Sequence, residues 1–190
     1  VGSDLFAIVW DGRELAGLNA SGRAPAAATA ARYAGQPQVP QRGWEAVTIP
    51  GAVSGWAALS QRYGALPFAD LFGPAIRYAR DGFPVSPTVA AQWARAAAVL
   101  PHDLGFAEHF LPRGRAPKPG ETFACAPLAS TLEAIGDTHG HAFYRGALAA
   151  VMSFRRRGDH VQLWLGGTHP EVGAVAPMFW AGVLARLRDQ

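Results

Sequence analysis

The side chains able to do chemistry are few and scattered. There are six histidines, His102, His109, His139, His141, His160 and His169, and only His139 and His141 lie close together. They fall in the turn Asp137-Thr138-His139-Gly140-His141, where they read as solvated loop residues rather than zinc ligands, so no metal site is expected. Cys125 is the single cysteine, which excludes an intramolecular disulfide and any cysteine-based zinc site and fixes no redox compartment. Arg155, Arg156 and Arg157 form a run of like charge that reads as a solvated patch rather than an anion site. No Gly-x-x-x-x-Gly-Lys loop is present to cradle a phosphate. One further arginine, Arg23, sits in the small-residue loop Ala20-Ser21-Gly22-Arg23-Ala24-Pro25, at the open end of a strand.

These groups need a frame. Leu5, Ala7 and Val9 alternate with Phe6, Ile8 and Trp10 in a nearly continuous apolar run, the pattern of a strand covered on both faces. Asp11-Gly12 supplies a turn that tolerates positive φ, and Arg13 to Asn19 supplies the returning strand. A two-stranded hairpin is marginal in water, so partner strands are expected from elsewhere. The Ala-rich stretch Ala26 to Ala34 should be a short helix, Gln36 to Trp44 a surface loop, and Val47 to Gly51 a short extended piece. Ala52 to Tyr63 predicts a helix with Val53, Trp56, Ala57 and Leu59 on its apolar face, stopped by Gly64 in the C′ position. Phe68 to Arg80 predicts another helix-forming stretch, with Pro74 tolerable only near a first turn and Gly82 at its end. Ser86-Pro87 reads as the N-cap and first position of a helix through Val89, Trp93, Ala97 and Leu100, closed by Pro101. Phe110 to Gly120 must be irregular, and Leu128 to Ile135 resumes a helix.

Composition bounds the class. A chain of 190 residues that is 49% hydrophobic and 16% charged folds, because disorder requires few aromatics and high net charge. No apolar run reaches the roughly 18 residues of a membrane span, so a soluble or at most peripheral protein is expected. The basic pI of 9.5 is an arginine effect, since Lys118 is the single lysine and the net charge is only +3. The arginines are scattered and mostly have an acid nearby, whereas a nucleic-acid surface gathers them on one face, so no nucleic-acid partner is expected. Val1 leads straight into the strand pattern without a methionine or a basic n-region, which reads as a cut start and not as a signal segment.

An ordered series of motifs now stands out. It runs Asp4-Leu5-Phe6-Ala7-Ile8-Val9-Trp10-Asp11, Arg23-Ala24-Pro25-Ala26-Ala27-Ala28-Thr29, and Ile49-Pro50-Gly51-Ala52-Val53-Ser54-Gly55-Trp56. It continues with Arg62-Tyr63-Gly64-Ala65-Leu66-Pro67, Pro74-Ala75-Ile76, Asp81-Gly82-Phe83-Pro84-Val85-Ser86 and Lys118-Pro119-Gly120. It closes with Leu132-Glu133-Ala134-Ile135 and Ala142-Phe143-Tyr144-Arg145-Gly146. In collinear order this series resembles the large subunit of the gamma-glutamyltranspeptidases.

The resemblance implies an α+β fold: the large-subunit part of an N-terminal-nucleophile hydrolase, layered α-β-β-α, here a core β-hairpin followed by mostly short helices. It implies a precursor that cuts itself into two subunits, with residues 1–150 as an N-terminally incomplete large-subunit region and 151–190 as an unassigned tail. The small subunit would open with a threonine that attacks the gamma-glutamyl amide of glutathione or a related compound, its own α-amine acting as base, and the acyl-enzyme would pass to water or an amino acid. This chain then carries no catalytic residue, uses no metal or organic cofactor, and is inactive alone. Its partners would be the small subunit of the same precursor and a small-molecule amide substrate.

Two departures qualify this. Well-characterised transpeptidases hold the α-carboxylate of the glutamyl group with an arginine just after this hairpin, and in that register the position falls on Ser21. Arg23 lies two residues later, enough to move a guanidinium by several ångströms. Ser21 and Arg23 are therefore the expected substrate-binding residues, with glutamyl preference open and a structural ion pair as the other role for Arg23. The second departure is the tail, where Gly167-Thr168-His169-Pro170 stands in place of a Thr-Thr-His opening. A threonine inside a chain has no free amine to serve as base, so Thr168 reads as part of a turn. The tail allows a helix end at Phe179, Val183, Leu184 and Leu187, among other origins. The rival expectation is a non-catalytic remnant that acts as a structural or binding module.

Overall fold

The computed structural model describes residues 2–24, 26, 28–39, 48–99, 106–145, 148, 153–157 and 160–164, the last two stretches as backbone. Two compact units divide the chain, Val1–Leu66 and Pro67–Gln190. The expectations for Pro101, Thr168 and the Phe179 to Leu187 pattern lie outside the described residues, and those for Ala26 to Ala34 and Gln36 to Gly51 lie partly outside them.

The first unit is built on an antiparallel hairpin. Strand β1 (Leu5–Trp10) pairs with β2 (Leu15–Ala20) in the register Leu5 to Ala20 through Trp10 to Leu15. Gly12 has the positive φ that Asp11-Gly12 predicts, +96°, but the connection takes four residues, Asp11 to Glu14, so the returning strand begins at Leu15 and not at Arg13; the Asp11 carboxylate accepts from the amides of Arg13 at 2.8 Å and Glu14 at 2.9 Å. Those two bonds hold its pKa below the usual carboxylate value, the Glu14 amide most. Helix α1 (Ala52–Tyr63) has the predicted bounds and covers one face of the hairpin, with Val53 buried and Trp56, Ala57 and Leu59 half-buried on the inner side. The other face departs from the expectation of a doubly covered strand: Phe6, Ile8, Trp10 and Leu15 are 65, 78, 63 and 69% exposed. Alternation along the strand puts the three β1 residues on one side, and no described element lies over them. Gly64 is extended at φ −72°, not left-handed; its missing side chain matters because a Cβ would stand 2.4 Å from the Ser60 carbonyl oxygen. Between Ala26 and Ala34 the described residues contain only a 3₁₀ turn, Ala30–Tyr33, capped by Thr29.

In the second unit the predicted helix from Phe68 to Arg80 divides into a 3₁₀ turn, Phe68–Phe72, and α2 (Gly73–Asp81), because Pro74 belongs to a first turn. A two-residue strand β3 (Phe83–Pro84) follows, then α3 (Pro87–Val99), where the Ser86 hydroxyl accepts from the Val89 amide as an N-cap. Helix α4 (Phe106–Phe110) leads into the stretch read as irregular, Phe110 to Gly120, whose interior holds a 3₁₀ turn at Pro112–Gly114, and β4 (Thr122–Phe123), which pairs with β3, follows it. Helix α5 (Ala126–Asp137) packs on α2 and the Phe68 turn, burying Ile135 and Leu132, and α6 (His141–Arg145) follows at once. Strands β5 (Ser153–Arg157) and β6 (His160–Trp164) form a third antiparallel pair where no element was assigned, and Arg155 to Arg157 fall in β5. A cluster of Val85, Phe123 and Cys125 is closed by aromatic contacts, with Trp93 edge-on to Phe123 at 4.6 Å between centroids. Burial there raises the Cys125 thiol pKa.

The irregular stretch is tied by one acid. Glu121 accepts from Arg115 at 2.9 and 2.7 Å and from the Lys118 amide at 2.8 Å, and lies 3.1 Å from Arg113. The Arg115 contact, then the Lys118 amide, pulls its pKa from 4.5 to about 2. A depressed carboxylate pKa adds stability above the unfolded value and loses it below, so this contribution fades as pH falls from about 4.5 to about 2. Thermal melts against pH should therefore show Glu121→Gln less stable than wild type at neutral pH, with the gap closing across that window. A constant gap down to pH 2 would show that the ionised carboxylate is not what ties the loop.

Candidate functional site

The predicted pair Ser21 and Arg23 lies at the end of β2, in a turn the chain has little freedom to rearrange. Ser21 donates its amide to the Asn19 side chain at 3.0 Å, the Arg23 carbonyl accepts from the Ile49 amide at 3.0 Å, and the Ser21 carbonyl accepts from the Thr48 hydroxyl at 3.2 Å. Gly22 sits between them at φ +85°, where a Cβ would stand 1.7 Å from the Ile49 carbonyl oxygen. Gly51, just before α1, meets the same turn from the other side: a Cβ there would stand 2.1 Å from the Ala20 carbonyl oxygen. Two backbones thus touch, and the contact sets the direction in which residues 21 and 23 leave the chain.

Beside this turn lies an open depression of about 530 Å³, lined by Asn19, Ser21, Gly22, Arg23, Gly51 and Ser54, with Gly55, Ala58, Leu18 and Ala20 completing it. Arg23 is exposed there, and its guanidinium makes no hydrogen bond or ion pair with any described residue. The structural ion pair that would have occupied it is absent among the described residues. Ser54 donates its hydroxyl to the Gly51 carbonyl at 2.7 Å, which fixes the first turn of α1 beside Ser21. Gly51 and Ser54 were not singled out from sequence; the Pro50-Gly51 pair ahead of a helix, with a serine in its first turn, is the signal that points to them.

The other candidates are not drawn into this site. His139 has φ +51° at the end of α5, its ring 4.3 Å from that of Phe68, and His141 opens α6. Among the described residues no three His, Cys, Asp or Glu side chains converge on a possible cation site. No described helix is long and apolar enough to cross a membrane.

The turn thus presents hydroxyls and a cation beside a helix start, and the chain's fold can be compared with solved structures. The chain superposes with a TM-score of 0.71 on a cephalosporin acylase from Bacillus halodurans, at 43% identity over 80% of this chain and 30% of that one. On gamma-glutamyltranspeptidase from Helicobacter pylori the TM-score is 0.70, at 26% identity over 80% and 45%. The fold is therefore α+β, shared with these acylases and transpeptidases. The family profile described as gamma-glutamyltranspeptidase matches residues 1–157, and the chain belongs to that family. Among curated relatives, the oxamate amidohydrolase proenzyme of Klebsiella pneumoniae is 42% identical over 140 residues, 70% of this chain and 26% of its own length. The glutathione hydrolase-like YwrD proenzyme of Bacillus subtilis is 39% identical over 132 residues, 69% and 25%. The chain thus spans about a quarter of the length of these relatives.

Proposed function

We propose that this chain is the large-subunit region of an N-terminal-nucleophile amide hydrolase or acyltransferase, with the attacking threonine on a second polypeptide of the same precursor. The observation that carries this is Arg23, whose guanidinium pairs with no described residue, held beside Ser21 by a glycine-locked turn at the mouth of an open depression, in a chain of the transpeptidase family. The relatives named as proenzymes support processing into subunits. The bare Phe6, Ile8 and Trp10 face supports a second β layer over the hairpin, the order α-β-β-α.

In this reading the substrate is the amide of a small acid, glutathione-like or shorter. Its carboxylate pairs with the Arg23 guanidinium, a charge-assisted contact that fixes one end of the molecule. Ser21 and Ser54 border the same depression and offer hydroxyls to its polar atoms. Holding the amide still is what this chain contributes, and it brings the carbonyl carbon to a nucleophile it does not itself supply.

The test is turnover of a gamma-glutamyl anilide and of a panel of small carboxylate-bearing amides, measured on the isolated chain and on the chain with a second polypeptide that begins with Thr. Turnover is expected only from the pair. Robust activity from the isolated chain would overturn the proposal, and recovery of this chain as a lone species, with no partner starting at Thr, would favour the non-catalytic module.

A further inference from the structure

The turn that carries Arg23 is tied down by neutral groups alone. The ladder of β1 and β2 ends at the Leu5 to Ala20 pair, so the peptide groups of Ser21 have no strand residue opposite them. Side chains take that place: the Asn19 Oδ1 accepts from the Ser21 amide at 3.0 Å, and the Thr48 hydroxyl donates to the Ser21 carbonyl at 3.2 Å. With the peptide on each side of it held, Ser21 cannot rotate about φ or ψ without breaking one of these bonds. A main-chain amide only donates, which fixes the oxygen of the Asn19 side chain toward it. An aspartate would make the same turn and accept more strongly, but it would set a negative charge four residues from Arg23. Asparagine gives the acceptor without the charge. Thr48 likewise satisfies a carbonyl, two residues before Arg23, with a group that brings no charge. Of the residues that line the depression Arg23 alone is charged, and neither its guanidinium nor the Ser21 hydroxyl bonds to any described residue.

We propose that Asn19 and Thr48 are positioning residues for the carboxylate anchor: together they hold both backbone polar groups of Ser21 and place no acid beside Arg23, so that its charge is left for the substrate. The proposal rests on the reading of Arg23 as that anchor. The turn then offers the Ser21 hydroxyl and the Arg23 guanidinium in one fixed arrangement, and the cost of ordering them is met before a ligand arrives. A small carboxylate meets an unopposed positive charge there. A neutral amide of the same size gains no charge-assisted contact, so the clamp selects for the acid.

The experiment is equilibrium binding of butanoate, and of butanamide as its neutral match, to the full chain with whatever polypeptide co-purifies, the melting temperature of each variant being recorded alongside. Arg23→Ala should weaken butanoate by about thirtyfold and butanamide by less than about twofold. Thr48→Val keeps the shape and removes the hydroxyl; it should weaken butanoate by about three- to tenfold and spare butanamide, and Thr48→Ser should return butanoate to within about twofold of wild type. Asn19→Asp keeps the cap and the melting temperature, yet should weaken butanoate by about two- to fourfold at about 0.02 M salt, a ratio to wild type that shrinks at about 0.5 M as the added charge is screened. If Arg23→Ala leaves butanoate binding unchanged, the anchor reading fails and the proposal with it. If Arg23→Ala weakens butanoate but Thr48→Val costs nothing, or costs both ligands equally, or Asn19→Asp binds as wild type does, the anchor stands and the clamp is overturned.

Discussion

Arg23→Ala is expected to lower kcat/KM for carboxylate-bearing amides by about thirtyfold in the paired enzyme, mostly through KM, while a neutral amide of the same size changes less than twofold. The size follows from the chemistry of the contact. A hydrogen bond to a charged group contributes about 1.5 to 3 kcal/mol, and the Arg23 guanidinium has no other described partner to which it could be lost. The loss falls in KM because an anchor remote from the reacting carbonyl binds ground state and transition state alike. Arg23→Lys should recover part of the loss, since an ammonium keeps the charge but not the planar fork. Steady-state kinetics on charged and neutral substrates decides it: equal losses on both would show that the arginine holds the loop and does not read the carboxylate.

Gly22→Ala is expected to be the most destabilising single-methyl change in the first unit, at about 3 kcal/mol or more, with activity lost beyond that of Arg23→Ala. Two costs combine at this residue. A non-glycine residue at φ +85° carries about 1 to 2 kcal/mol of backbone strain, and the new methyl group would lie 1.7 Å from a backbone oxygen that has no rotamer to retreat into. Gly12→Ala provides the control, since φ there is +96° but nothing lies within 4 Å of the added carbon, so only the strain remains. Denaturant unfolding of the two variants should therefore separate them by about 2 kcal/mol. Equal values would mean that the turn at Ser21 to Arg23 yields easily and does not position those side chains.

What could be read without coordinates was whatever a few neighbouring residues decide. The positive φ at Gly12, the Ser86-Pro87 cap and both ends of α1 depend on local dihedrals and local hydrogen bonds, and the structure has them. Gly64 was read correctly as a stop but for the wrong reason, because crowding against Ser60 and a demand for positive φ leave the same letter in a sequence. Ser21 and Arg23 could be named from motif order, whereas the contact that aims them could not. Gly22 meets Ile49 across 27 residues, and neither carries a side chain pattern that announces the meeting. The β3 and β4 pairing spans two residues on each side, too short for any alternation to register.

The outer surface of the hairpin bears on how the cell must handle this polypeptide. Phe6, Ile8 and Trp10 stand in a row on a hairpin that no third strand joins among the described residues, and Leu15 extends the row across the turn end. A copy without a mate is a template for its own kind, able to pair edge to edge and stick face to face. In the proposed precursor, synthesis as one stretch with its mate would answer that hazard, because the covering strands would arrive on the same ribosome, in equal number, and at a high local concentration. Cutting the chain afterwards would then release an end for chemistry without ever having exposed the face to solvent.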